Sequence, residues 1–433
     1  MTVTTHMLRR RRFLPLFVTQ LLGAFNDNLY KTAMVLFVVY EVYRSEEAEG
    51  IFSAVASAVF ILPFFVLSAL AGQLADMRDK ARIIRIVKAA EIVIMAVGAA
   101  GLLMAWQGIA VSGVAIPLLL LALFAMGVHS TFFGPIKYAI LPQHLREDEV
   151  LAGTGLVEAG TYIAILFGTI LAGWIPVEIA AVGVVATAVV GYLAGRQVPP
   201  APAQGAVEPI DFHFVRSSIA LVRNTAHDRR VFLAIVAISF FWTIGAVLFI
   251  QFPPLAKNVL TASKEVASLF LVIFSIGVAI GSVSVNALLK GRVSARYSPV
   301  SVIAMGGFVL AFYLVCRAWT PEAGGLLDVR EFLVHPLALA LLASLLGIAV
   351  AGGMFVVPLY AFLTTFVPKT QTARTIAANN IVNSGAMVGG SLLATGLSAA
   401  GIELVHHLLL TAAMCLVSAW LGLLLLRAER AAG

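Results

Sequence analysis

An all-α membrane protein of twelve transmembrane helices, in two pseudo-symmetric six-helix bundles, is predicted by three observations. The chain has 433 residues, of which 61% are hydrophobic and only 12% charged, whereas soluble domains carry about 25% charged residues. Its apolar residues fall into runs of about 20, the length an α-helix needs to cross a bilayer and too long for barrel strands. One long polar connection divides these runs into two sets of six. The net charge of +7 reflects basic residues gathered beside anionic headgroups and does not point to nucleic acid.

The first run, near 14–40, follows the basic cluster Arg9 to Arg12 directly, which predicts a retained span rather than a cleaved signal. The others of the first half lie near 51–75, 83–106, 110–134, 151–174 and 177–195. Residues 196–229 then bring Pro199, Pro200, Pro202, Arg216 and Arg223, which predicts a linker with an amphipathic surface helix from Asp211 onward. The second half repeats the pattern near 230–253, 266–289, 298–319, 336–358, 375–398 and 404–426. The predicted organisation is therefore an N-terminal bundle 1–195, a cytoplasmic linker 196–229 and a C-terminal bundle 230–433. The sequence stops at Gly433 soon after the last run, so no fused domain is expected.

Charge sets the orientation. With the N-terminus inside, all but six of the 29 lysines and arginines fall on the cytoplasmic side. The exceptions are Lys31, within a span, and Arg44, Lys257, Lys264, Arg317 and Arg330 on the far side, where Glu46, Glu47 and Glu49 also lie. Both termini are expected in the cytoplasm. The halves echo each other faintly: GVHSTFFGPIKYAILP (127–142) and GMFVVPLYAFLTTFVP (353–368) share a leading Gly, a mid-stretch Pro and a closing Pro.

Within the first run, QLLGAFNDNLYK places Asn26, Asp27, Asn28 and Lys31 inside apolar sequence. A charge at membrane depth costs about 2.5–3.5 kcal/mol on insertion scales, so such residues face a bundle interior or a wet cavity. Asp27 and Lys31 share a helix face at i,i+4 and can offset each other. Alone, the pair fits a structural ion pair. The other intramembrane polar residues, Glu158 in the fifth run and Asn379, Asn380 and Asn383 in the eleventh, favour a solute pathway. Glu91 is expected to pair with Lys88, and His129 to be a packed or gating residue rather than a metal ligand. Gly134-Pro135 is expected to break the fourth helix and serve as a hinge, with Lys137 beyond it as a phosphate partner or a snorkelling cation.

Twelve spans in two halves joined by a cytoplasmic linker is the arrangement of major facilitator transporters. The stretch GQLADMRDKAR (72–82) resembles the signature that follows their second helix. Gly72, Leu74, Ala75 and Asp76 match, while Met77 replaces the usual Arg and Asp79 the usual Gly. Asp76 is expected to pair with Arg78 or Arg82 and lock one conformation. The resemblance implies a gate on the inward side, built from that aspartate and a helix N-terminus. The corresponding loop of the second half, KGRVSARY (290–297), is basic but lacks the pattern.

Three stretches carry a closer resemblance: QLLGAFNDNLYKTAMV (20–35), FFGPIKYAILPQHL with GLVEAGTYIAILFGTILAG (132–145, 155–173), and VPLYAFL with RTIAANNIVNSG (357–363, 374–385). Together they resemble the bacterial lysophospholipid transporter family, a branch of the major facilitator superfamily, over essentially the whole chain. The resemblance implies flipping of lysophospholipids from the outer to the inner leaflet of the bacterial inner membrane, for reacylation by an acyltransferase/acyl-carrier-protein synthetase. It makes Asn26, Asp27, Asn28 and Lys31 the leading site candidates, followed by Lys137, Glu158, Asn379, Asn380 and Asn383. Gly72, Asp76, Arg78, Arg82, Gly134 and Pro135 are the gating candidates. Lys31 or Lys137 suits a phosphate and Asp27 or Glu158 an ammonium, with Phe132, Phe133, Trp242 and Phe249 along an acyl path.

Enzyme signatures are absent from the sequence: no GxxxxGK[ST], HExxH or GxSxG occurs. Cys316 and Cys415 sit in apolar runs and read as packed thiols. No cofactor is expected beyond a proton or sodium ion as coupling ion through Asp27 or Glu158, and nothing requires more than a monomer. Two alternatives remain open from sequence: an exporter of small amphiphilic drugs, and a non-transporting scaffold for an acyltransferase.

Overall fold

The computed structural model describes residues 7–42, 46–204, 209–225, 227–320 and 325–432. Arg44 lies outside them, as do the side chains of Glu46, Glu47, Glu49, Phe249 and Lys264. Twelve long helices carry the fold. In the first half they are α1 (Leu14–Phe37), α2 (Glu46–Met77), α3 (Lys80–Trp106), α4 (Ile116–Ala139), α5 (Glu147–Trp174) and α6 (Val177–Gly195). In the second they are α7 (Arg229–Asn258), α8 (Lys264–Leu289), α9 (Ser298–Ala318), α10 (Ala338–Thr365), α11 (Thr372–Ala399) and α12 (His407–Ala432). Among the described residues, ten helices are long and apolar enough to cross a membrane. α1 and α11 have the length, at 24 and 28 residues, but are interrupted by the polar side chains that the sequence singles out.

The chain forms two compact units. One comprises 1–153, 163–223 and 367–381, the other 154–162, 224–366 and 382–433. In the first, α2 packs on α4, α3 on α4 and α6, and α1 on α6. In the second, α10 packs on α8 and α9, and α12 on α7 and α9. With no hydrophobic drive between helices in lipid, close packing depends on small residues. Gly281 illustrates this: a Cβ there would lie 2.0 Å from the Val350 carbonyl oxygen on α10.

Gly134-Pro135 does not break the fourth helix. α4 runs through Pro135 to Ala139: the proline removes one interior hydrogen bond of the helix without ending it, as spans tolerate when neighbouring groups meet the freed carbonyl. The amphipathic helix predicted in the linker is present as Phe214–Thr225 and leaves Phe212, Val215 and Ile219 exposed.

Before that helix the linker is strapped to the first unit. Asp79 caps α3 by accepting from the Ala81 N–H, and its Oδ1 also accepts from the Ala201 N–H at 3.0 Å. Lys80 N–H donates to the Ala201 carbonyl, and Arg85 reaches the Val198 carbonyl at 3.3 Å. His144 Nε2 lies 3.3 Å from the Pro200 carbonyl. Partial burial holds the His144 pKa below its ordinary 6.5, so the folded strap favours the neutral ring. The unfolded strap then binds the proton more readily, and stability is lost as pH falls through the mid-6 range. Hydrogen exchange at the Val198 and Ala201 amides, corrected for intrinsic rate, is expected to be faster at about pH 5 than at about pH 8. His144→Gln should remove that difference.

Candidate functional site

The polar turns of α1 lie against α3 and α4. Asn26 is buried, and its Nδ2 donates to Glu91 Oε1 at 2.8 Å. On α3, Glu91 pairs with the Lys88 ammonium one turn earlier. From α4, His129 Nε2 approaches Glu91 Oε2 to 3.1 Å. None of these four residues is more than 5% exposed. Three helices therefore meet on one carboxylate, which trades its lost hydration for an ammonium, an amide and an imidazole. The His129 ring stacks on Phe133 at 6.3 Å, which fixes its plane.

Asp27 and Lys31 do not pair with each other as their spacing predicts. Asp27 Oδ2 accepts a 2.6 Å hydrogen bond from Ser130 on α4, while the Lys31 ammonium lies over the Phe60 ring at 5.4 Å. The hydroxyl offers the carboxylate a short bond, and the ring face receives the cation through its quadrupole. Asp27 Oδ1 keeps no hydrogen-bond partner among the described atoms. Asn28 spends its Nδ2 on the Ala24 carbonyl of its own helix at 2.8 Å. Lys137 is half-buried in the last turn of α4 with its ammonium 4.9 Å from the Tyr138 ring.

The eleventh-helix amides divide among different surroundings. Asn379 is buried with both amide atoms lacking a hydrogen-bond partner among the described atoms. Asn380 lies beside Gly134, its Nδ2 3.3 Å from where a Cβ would stand. Asn383 Oδ1 accepts from Ser239 on α7 at 2.6 Å.

The second unit has its own polar and aromatic patch. Glu158 is 1% exposed and sits one turn before Tyr162, whose ring stacks on Trp242 at 6.1 Å. Trp242 Nε1 donates to the Tyr360 hydroxyl at 2.8 Å. Phe133 and Trp242, expected along an acyl path, are thus committed to His129 and to the two tyrosines, and Phe132 is half-buried.

The signature stretch meets the helix N-terminus that the resemblance implies for Asp76, and not the arginine pairing read from its neighbours. Asp76 pairs with neither Arg78 nor Arg82. Its Oδ1 accepts the Ala373 N–H and its Oδ2 the Arg374 N–H, both at 2.9 Å. These amides belong to the first turn of α11, where backbone N–H groups have no intrahelical acceptor and the helix dipole favours an anion. Arg78 and Arg82 remain exposed, and Arg78 reaches the Met77 carbonyl at 3.2 Å. One turn before Asp76, Gly72 provides the closeness: a Cβ there would stand 2.7 Å from Ala377 Cβ.

The expected pairing of Glu91 with Lys88 is found, whereas His129 and Ser130 are the site residues that the sequence did not join to it. Their signal was an imidazole and a hydroxyl inside an apolar run, with no cue to the carboxylates they meet. Among the described residues, no group of three or more His, Cys, Asp or Glu is placed to hold a metal ion.

Residues 16–329 match the Major Facilitator Superfamily. The lysophospholipid transporter LplT of Salmonella typhimurium is 25% identical over 389 residues, covering 87% of this chain and 85% of that protein. LplT of Salmonella enteritidis matches to the same extent. Among solved structures, a bacterial homologue of the iron transporter ferroportin in its outward-facing state superposes with a TM-score of 0.70 at 12% identity, covering 96% of this chain and 99% of that one. The human organic anion transporter MFSD10 gives 0.67 at 16% identity, over 97% and 99% of the two chains.

Replacing Glu91 by Gln strands the Lys88 ammonium, and a loss of about 3–5 kcal/mol is expected in thermal unfolding of the detergent-solubilised protein. Lys88→Met combined with Glu91→Gln should recover most of it. Asp76→Ala is expected to cost about 3–6 kcal/mol and to speed hydrogen exchange at Ala373 and Arg374, leaving the amides near Glu91 unchanged.

Proposed function

The chain belongs to the major facilitator superfamily, and we propose that it moves lysophospholipids from the outer to the inner leaflet of a bacterial inner membrane by alternating access. It is a multi-pass membrane protein of a transporter superfamily. The observation that carries the finer reading is the mixed-charge face of α1, where Asp27 keeps one carboxylate oxygen without a hydrogen-bond partner among the described atoms and the Lys31 ammonium lies over the Phe60 ring. A lysophospholipid headgroup offers an ammonium or hydroxyl to the first and a phosphate to the second. Its single acyl chain stays in apolar surroundings. The relatives named as lysophospholipid transporters support the same reading.

In this proposal the termini face the cytoplasm, where the basic loops also lie, and the product is passed to a reacylating enzyme there. The Asp76 contact with α11 belongs to the gate, since a carboxylate held by two backbone amides can be released without rebuilding a side-chain pair. The gradient of lysophospholipid, or an ion bound near Asp27 or Glu158, supplies the direction.

Vesicles holding the purified protein are expected to internalise labelled lysophosphatidylethanolamine, and Asp27→Asn and Lys31→Ala should each abolish that uptake while leaving insertion intact. Uptake unchanged in both variants would discard the α1 face. Failure of the wild type to flip the lipid, with or without a proton or sodium gradient, would discard the substrate.

A further inference from the structure

The second unit contains a cleft of about 550 Å³ that takes no part in the polar faces described above. This lies within the range of roughly 300–1,000 Å³ typical of small-molecule sites. Arg230 enters it from the start of α7, Arg296 from the turn before α9, and Arg430 from the end of α12. Phe366, just past α10, and Leu426 give it apolar walls. Its one carboxylate is Glu429, whose Oε2 accepts the Ala295 N–H at 3.0 Å and so holds the Arg296 turn against α12. The Arg230 guanidinium lies 5.9 Å from the Phe366 ring and also pairs with Asp228 at 3.2 Å. Arg296 and Arg430 are exposed.

Three guanidiniums thus border the space, and two carboxylates face them: Asp228, paired with Arg230, and Glu429, spent on the Ala295 N–H, which leaves a net positive charge over Arg296 and Arg430. Like charges drawn together repel unless an anion joins them, and a guanidinium fork matches phosphate oxygens bidentately. The apolar walls set the kind of anion. A free phosphate has no use for Phe366 and Leu426, whereas a phospholipid brings a phosphodiester attached to an apolar root. The lining comes from helix ends, the level at which headgroups meet a spanning protein, and basic pockets between spans suit anionic headgroups.

We propose that this cleft binds the phosphodiester headgroup of an anionic phospholipid, with Arg296 and Arg430 on the phosphate and Phe366 and Leu426 along its glycerol root. The site is separate from the α1 face and requires only that the chain span a membrane; it stands whether or not the transported solute is a lysophospholipid.

The test is native mass spectrometry of the full-length protein released from micelles titrated with phosphatidylglycerol, with phosphatidylcholine as the zwitterionic control. The wild type should retain phosphatidylglycerol in preference to phosphatidylcholine. Arg296→Gln with Arg430→Gln should weaken retention roughly 30-fold, at about 1 kcal/mol for each arginine near an anionic lipid. Glu429→Gln keeps an amide oxygen for the Ala295 N–H and removes the opposing charge, so it should tighten retention several-fold, a gain that a damaged fold cannot produce. Equal retention of the two lipids, undiminished retention in the double arginine variant, or displacement of the lipid by inorganic phosphate would each overturn the proposal.

Discussion

Glu91 imposes the strongest local constraint on the first unit: a carboxylate in a helix that crosses a membrane has to find its solvation inside the protein. It does so from three directions, through Lys88 on its own helix, Asn26 on α1 and His129 on α4. Each partner is itself costly to bury, so none is stable there without the others. The network ties the packing of α1, α3 and α4 to one arrangement of charges. Burial of ions adds little net stability, but losing one member is expensive. Asp27 takes its place at the border of this network, since its bond to Ser130 follows the residue next to His129.

Asp76 shows a different economy. A helix N-terminus already carries unmatched N–H donors and partial positive charge. A carboxylate placed there satisfies two donors at once, and its hydrogen bonds go to backbone rather than to a lysine or arginine side chain. That geometry needs the backbones of α2 and α11 to come close, which Gly72 permits on the same face one turn earlier. The replacement of the usual arginine by Met77 leaves this contact intact because the contact is made to backbone.

The contrast explains what the sequence revealed. The spans were legible because burial in lipid demands long apolar runs, a property of each segment alone. The polar face of α1 was legible for the same reason, as an exception to its own run. Partnerships were legible only within a turn of one helix, as for Lys88 with Glu91, and not reliably there. Asp27 and Lys31 satisfy an i,i+4 rule, yet Ser130 and Phe60 on other helices outbid it. Asp76 was matched to the arginines beside it by proximity; only the family resemblance implied a helix N-terminus, and the one it meets lies nearly three hundred positions away. The Gly-Pro pair of α4 reads as a break, but the packed helix carries the proline in its interior and continues to Ala139. Local rules give the alphabet of contacts, and tertiary approach chooses among them.

A gate must hold firmly enough to exclude a leak and yield within the energy that transport can supply. Hydrogen bonds to a charged group are worth about 1.5–3 kcal/mol each, so the two that Asp76 accepts total a few kcal/mol. That is the scale separating conformers whose minor state is still populated. A buried ion pair at the same place would cost more to open, because each charge would be left without a partner. The N–H groups of Ala373 and Arg374 lie in the first turn of a helix that begins at Thr372. Water can replace the carboxylate there, which lowers the barrier to opening. The same exchange is closed to Glu91, deep among α1, α3 and α4. In the proposed transporter the two carboxylates would divide the work: the one at the helix end suits a contact that opens, and the one in the core a contact that stays.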